Sequence, residues 1–305
     1  MNQKLKGNII LLITALVWGI SFVAQSSGMS YVGPNTFIGL RTLLGGIVLL
    51  PVIAVIDSGK KKSGTYQKTD LKKLLLYGSI CGLCLWIAST LQTYGLADGI
   101  TTGESGFITA LYIIFVAVFG VFAGRKPSVK IICGVLLAMV GMYFLCLFGN
   151  GFSFGRGQLI TLICAIIFSI HILVIDKFSP QVDGVKLSCT QFFIAGALGC
   201  IMMFLLEKPE WSAIASCWLE IGYAGIMSCG VAYTLQIIGQ KYADPTSASI
   251  LMSLESVFSA LAGWVLLGQR LSLPQIAGCV LMFAAIILVQ LPDRIPMVKK
   301  SSMDA

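Results

Sequence analysis

Between Lys6 and Arg41 the chain carries no charged side chain, and apolar runs of similar length recur almost to its end. A run of about 20 apolar residues spans the hydrocarbon core of a bilayer as a helix. Reading such runs between polar breaks gives ten spans, at 8–26, 35–56, 72–95, 103–123, 129–148, 157–176, 187–206, 217–239, 246–267 and 273–291. The third and eighth have the least defined edges. Composition agrees: 57% of residues are hydrophobic and 11% charged, with mean hydropathy +0.90. Soluble domains carry about 25% charged residues, so there is too little polar surface here for a water-soluble particle.

Basic residues mark the cytoplasmic side of a membrane protein. With the N-terminus inside, 17 of the 21 Lys and Arg fall on inner segments, led by the loop "DSGKKKSGTYQKTDLKK" that opens at Asp57. Arg41, Arg156, Lys208 and Arg270 are left outside. The net charge of +8 is thus a topology signal and not a nucleic-acid footprint. Both termini are expected in the cytoplasm. The N-terminal run has the look of a signal peptide, but a similar segment recurs in mid-chain, so it belongs to the fold. Cysteines fall mostly inside apolar runs, where a thiol packs as a small apolar group. Cys81 and Cys84 have redox-motif spacing and are read as packing residues.

The chain repeats itself. At a shift of 144, "LQTYG" (91–95) falls on "LQIIG" (235–239), Gly124 on Gly268 and Gly134 on Gly278, with no gap from 91 to 142. At a shift of 150, "KGNIILLITALVWGISF" (6–22) falls on "RGQLITLICAIIFSIHI" (156–172). Five spans per half is an odd number, so the second half enters the membrane inverted. Inverted repeats place a substrate site near the midplane in secondary transporters. The expected fold is therefore all-α and integral to the membrane, with ten helices as two inverted five-helix repeats around a central cavity. The units are 1–148, 149–292 and a cytoplasmic tail, 293–305.

"LKGNIILLITALVWGISFV", the arginine of "FIGLRTLLGG" and "SLESVFSALAGWVLLGQRLSLPQIAGCVLMFAAIILV" resemble the drug/metabolite transporter superfamily, in particular its EamA-type permeases. The resemblance covers about residues 5–292. It implies two inverted bundles of five helices, a central cavity, transport of small organic solutes, and peripheral fifth and tenth helices. Family members usually read "sLEPv" and then "lgE" in the late segment. Here Ser256 replaces the proline, which removes a source of helix kinking, and Gln269 replaces the second glutamate.

Intramembrane polar residues are the candidate site. Glu255 lies well inside a span, where a carboxylate costs roughly 2.5–3.5 kcal/mol; it either binds a solute amine or a proton, or bonds a neighbouring helix. Arg41 either faces the cavity mouth, able to hold a carboxylate, or snorkels to headgroups. His171, the only histidine, is a helix–helix hydrogen bonder or a proton relay. Gln92 and Gln236, repeat mates, bridge helices or touch solute. Trp18, Trp86, Tyr112, Phe107 and Tyr94 can line the cavity and stack on an apolar solute; Tyr94 also reads as an interface anchor. Glu104, at the start of a helix, reads as a cap.

No metal or cofactor is expected, since no ligand cluster accompanies His171 and no GxxxxGK[ST] motif is present. The leading reading is a secondary transporter in the plasma membrane that moves an amino-acid-like or drug-like solute by alternating access, with export and proton coupling as its finer expectations. The alternatives are an integral-membrane enzyme acting on a lipid-linked substrate, disfavoured by the scattered acids and single histidine, and a channel or receptor. Expected partners are a small-molecule solute, the lipid bilayer, protons if transport is coupled to them, and a second copy if the chain dimerises. Nucleic acid is not among them.

Overall fold

The computed structural model describes residues 3–66, 68–124, 128–146, 155–268 and 272–290. Gln269, Arg270 and the tail 293–305 lie outside these residues. The described residues form helices and short connections and contain no strand. This follows from the solvent: in hydrocarbon each backbone N–H and C=O must be paired internally, and a helix does so within one segment. The helices are α1 (Gln3–Gly28), α2 (Pro34–Lys62), α3 (Leu71–Ala97), α4 (Thr102–Ala110), α5 (Tyr112–Phe122), α6 (Val129–Cys146), α7 (Arg156–Phe178), α8 (Gly184–Leu206), α9 (Trp211–Ser216), α10 (Trp218–Tyr223), α11 (Thr234–Gln240), α12 (Pro245–Met252), α13 (Glu255–Leu267) and α14 (Leu273–Gln290). A wide π-helical segment, Ala224–Tyr233, joins α10 to α11.

Among the described residues, eight helical stretches are long and apolar enough to cross a membrane: Leu5–Gly28, Pro34–Lys62, Leu71–Ala97, Thr102–Phe122, Arg156–Gln181, Gly184–Leu206, Trp218–Gln240 and Pro245–Leu267. They overlie eight of the ten expected spans. The fifth and tenth fall on α6 and α14, whose apolar stretches are shorter, Val129–Gly141 and Ile276–Ala285. The chain is a multi-pass membrane protein. Its outer surface is apolar: Phe122, Leu273, Val129 and Val55 are among the most exposed side chains. Thr14, Arg41, Gln92, His171, Gln191 and Glu255 are buried instead.

Packing pairs the first half of the chain with the second. The most extensive interfaces are α2 with α8, α6 with α14, and α3 with α7 and α8; α1 packs on α13, and α4 on both α13 and α7. Small residues permit the closest approaches. A methyl at Gly199 would meet Gly39 Cα at 2.7 Å, and one at Gly141 would meet Gly278 O at 2.9 Å. The α2–α8 pair is also tied at both ends. At one end Lys60 pairs with Asp183 and Lys186 with Asp57, each at 2.7 Å. At the other, Glu207 accepts hydrogen bonds from Asn35 and Thr36 at the start of α2.

Two of the membrane-crossing stretches are interrupted near their middles. α4 gives way to α5 at Leu111, where the Leu111 and Ile114 N–H groups bond three residues back instead of four. α12 gives way to α13 at Ser253–Leu254, with the same tightening at Leu254 and Ser256. Ser256 was expected to remove a kink by replacing proline, and the structure corrects this. Ser253, Ser256 and Ser259 each donate to the carbonyl three residues back, and such back-bonding bends a helix without proline. Thr101 and Glu104 close a capping box at the start of α4, the role read for Glu104.

Candidate functional site

The interrupted helices meet at a narrow central cavity. About 420 Å³ of empty space lies between its walls. α1 contributes Trp18, Ser21, Phe22 and Gln25, at helical offsets of 3, 4 and 7 from Trp18, which is one face of the helix. Arg41 enters from α2, Gln92 from α3, Thr109 from α4 and Tyr112 from α5. Phe168 and Ile172 come from α7, Ser228 and Tyr233 from the π segment, Gln236 from α11 and Glu255 from the start of α13. The π segment widens the helix at the cavity wall, a distortion frequently found at functional sites.

The structure therefore brings together six of the eight sequence-predicted residues: Trp18, Arg41, Gln92, Tyr112, Gln236 and Glu255. His171 and Trp86 do not line the cavity. His171 lies behind it, with Nε2 3.1 Å from Gln191 Oε1 across the α7–α8 contact and its ring 6.3 Å from that of Tyr233. Trp86 packs against the hydrophobic core from a half-buried position on α3. Phe107 is a buried core residue, and the Tyr94 hydroxyl accepts a hydrogen bond from Asn35 Nδ2 at 2.8 Å.

The wall contains one cation and one acid. Arg41 and Glu255 are 2% and 4% exposed, and no ion pair joins them. The Arg41 guanidinium stands 5.7 Å from the centre of the Phe37 ring, a cation–π contact that leaves its N–H groups available. Tyr233 lies within electrostatic reach of both Arg41 and Glu255. Its ring is held 4.6 Å from that of Trp18 and 5.9 Å, edge-on, from that of Phe192. Tyr112 Oη lies near the Glu255 carboxyl, yet Tyr112 Oη and Glu255 Oε1 close no hydrogen bond to protein groups.

Several wall groups share this condition. Trp18 Nε1, Ser21 Oγ, Arg41 Nε, Tyr112 Oη, Gln236 Oε1 and Glu255 Oε1 are all buried without a protein partner. Each buried unpaired polar group costs about 1–3 kcal/mol. Gln92 differs, donating from Nε2 to Thr109 Oγ1 at 3.1 Å. The wall thus offers donors, acceptors, a basic and an acidic side chain and aromatic faces, which suits a small polar organic molecule. Among the described residues no three His, Cys, Asp or Glu side chains gather as a metal site.

Sequence reasoning missed Ser21, Phe22, Gln25, Thr109, Phe168, Ile172, Ser228 and Tyr233. Two signals were present. Ser21 and Gln25 share a helical face with Trp18, and Tyr233 lies three residues before Gln236 on another.

Known proteins resemble this chain in sequence and fold. The sequence profile of the EamA-like transporter family matches residues 5–147 and again residues 155–291. A protein of Archaeoglobus fulgidus named "Uncharacterized transporter" is 28% identical over 297 residues, covering 95% of this chain and 87% of its own length. The Bacillus subtilis protein named "Uncharacterized transporter YoaV" is 21% identical, covering 91% of this chain and 94% of its own. The Salmonella typhimurium protein named "Uncharacterized inner membrane transporter YicL" is 23% identical, covering 96% and 98%. A solved crystal structure with 21% sequence identity superposes with a TM-score of 0.74, covering 93% of this chain and 96% of the other. With a family profile that accounts for nearly all of its length, this multi-pass chain belongs to the EamA-like transporter family.

Proposed function

We propose that this protein is a secondary transporter whose central cavity binds a small organic solute carrying both a carboxylate and an amine, as an amino acid does. The observation that carries the reading is the set of unpartnered buried polar atoms on the wall, Arg41 Nε and Glu255 Oε1 foremost. Arg41 would hold the carboxylate and Glu255 the amine or, in a proton-coupled cycle, a proton. Trp18, Tyr233 and Phe168 would take the apolar part, and Gln92, Gln236 and Tyr112 the remaining hydrogen bonds.

Alternating access is the mechanism that fits. Ten membrane-crossing helices in two inverted halves are supported by three features. The family profile matches each half separately. The helix breaks at Leu111 and at Ser253–Leu254 fall within two residues of one another under the 144-residue shift. Contacts such as α2 with α8 and α6 with α14 join elements that the repeat relates to each other. Plasma-membrane location, cytoplasmic termini and export complete the reading. A cavity this narrow admits a solute only when the helices part.

The test is solute flux in liposomes holding the purified protein, with a panel of amino acids, amines and carboxylates. Saturable uptake with counterflow of at least one zwitterionic solute is expected, without large current. Equal indifference to the whole panel by the wild type and by Arg41→Gln would overturn it.

A further inference from the structure

We infer that the protein carries a second binding site, for a phosphate-bearing anion, in a basic cleft at the end of the bundle away from Glu207. The cleft has about 1010 Å³ of empty space and is lined by five lysines and three aspartates. They come from the end of α2, the loop before α3, the start of α3, the α7–α8 connection, the start of α8 and the residue after α11.

The aspartates are already engaged. Asp57 pairs with Lys186, and Asp183 with Lys60. Asp183 also accepts from the Val185 and Lys186 N–H groups, and Asp70 caps α3 through the Lys73 N–H. Lys68, Lys73 and Lys241 remain, facing the same cleft with no acid of their own. Desolvation by its neighbours lowers the Lys241 ammonium below its ordinary pKa, Asp183 opposes this, and the Lys60 charge adds to it. The cleft is therefore short of negative charge. A phosphate, with charge and several acceptor oxygens in one compact group, supplies it.

The elements that converge here are ends of membrane-crossing helices, so the cleft opens at headgroup depth. Basic pockets between helix ends on the basic side of a membrane protein bind anionic lipid headgroups. A free phosphate ester presents the same chemistry. Binding here does not depend on what the central cavity transports.

The experiment titrates the purified full chain in neutral detergent with short-chain phosphatidylglycerol, short-chain phosphatidylcholine or inorganic phosphate, and counts bound molecules by native mass spectrometry. Phosphatidylglycerol should bind in preference to phosphatidylcholine. The variant Lys68→Gln/Lys73→Gln/Lys241→Gln should weaken it roughly tenfold or more. A control at the same end of the bundle but outside the cleft, Lys62→Gln/Lys72→Gln/Lys177→Gln, should stay within about twofold of wild type, since a rim charge acts weakly through solvent. Inorganic phosphate that competes with the lipid and shows the same dependence on the three cleft lysines identifies a soluble ligand. Lipid binding that phosphate does not displace identifies a headgroup. If the triple variant does not fold, the single variants replace it, each with a loss of about twofold or more. Equal binding of the two lipids, equal loss in both triple variants, or no loss in either overturns the site.

Discussion

Glu207 gives the sharpest structural prediction. α2 begins after Gly33, which has no side chain to cap it. The missing cap comes from the residue after α8. Glu207 Oε1 accepts from Asn35 N at 2.8 Å and Asn35 Nδ2 at 3.0 Å, while Oε2 accepts from Thr36 N at 2.9 Å and Thr36 Oγ1 at 2.6 Å. Hydrogen bonds to a charged group are worth about 1.5–3 kcal/mol, and a carboxylate at a helix N-terminus adds up to roughly 1 kcal/mol. Water reaches this partly exposed end and replaces some of that, so Glu207→Ala should cost about 2–3 kcal/mol. Glu207→Gln keeps one acceptor and loses the charge, and should cost about 1 kcal/mol. Gly33→Ala offers an independent route, because a methyl there would lie 2.6 Å from Glu207 Oε1 and push the carboxylate away. The assay is thermal unfolding in one detergent, with a double-mutant cycle between Glu207→Ala and Asn35→Ala. Additive losses in the cycle, or an alanine variant as stable as wild type, would refute the reasoning.

At the central cavity, Glu255→Gln keeps shape but cannot titrate; transport measured between about pH 5.5 and 8 should fall and lose its pH dependence, and an unchanged profile would leave Glu255 a packing residue. Arg41→Lys keeps the charge but not the planar fork, so flux of a carboxylate-bearing solute should drop by roughly tenfold or more, with amine-only solutes spared. Gly19→Val places its side chain against the Phe258 backbone on α13, and should destabilise by about 1–3 kcal/mol through overpacking. For Asp183, burial raises the carboxyl, but the Lys60 hydrogen bond and charge and the Lys186 and Val185 N–H groups outweigh it and hold the pKa below the ordinary value. A depressed folded pKa means stabilisation that is present above about pH 4 and lost as pH falls through the folded value. Asp183→Asn keeps the helix cap without the charge, so its melting temperature should respond less than wild type to acidification in that range.

The helices were legible because lipid leaves few options: an apolar run of the right length must be a helix. The interior of each run was harder. The break at Ser253–Leu254 has no proline to announce it; Ser253 and Ser256, which flank it, each bond back along the helix. The widened turn from Ala224 to Tyr233 lies inside the apolar run 217–239, whose pattern does not distinguish it from an ordinary helical turn. Polar residues inside apolar runs pointed to the cavity, because burial in hydrocarbon needs a reason. That rule does not separate a wall residue from one that bonds a neighbouring helix. Arg41 and its repeat mate Gln191 show the difference: Arg41 reaches the cavity, while Gln191 bonds His171 behind it. Glu207 escaped notice because its partners on α2 lie more than 170 residues away in sequence.

Where a solute can force movement follows from where the bonds are. Parting α2 from α8 breaks two ion pairs at one end and the Glu207 bonds at the other, and separates backbones in contact at Gly39 and Gly199. Bending at Leu111 or at Ser253–Leu254 only exchanges bonds to the third residue back for bonds to the fourth. Both breaks border the cavity, one beside Tyr112 and the other beside Glu255. The α2–α8 pair is then the fixed rib and the interrupted helices are the parts that yield. Local opening is read by amide hydrogen exchange. Amides at 111–114 and 253–256 should exchange faster than those at the centre of α2, and a bound solute should slow them. Uniform protection along α4, α5, α12 and α13, equal to that of α2, would place the moving parts elsewhere.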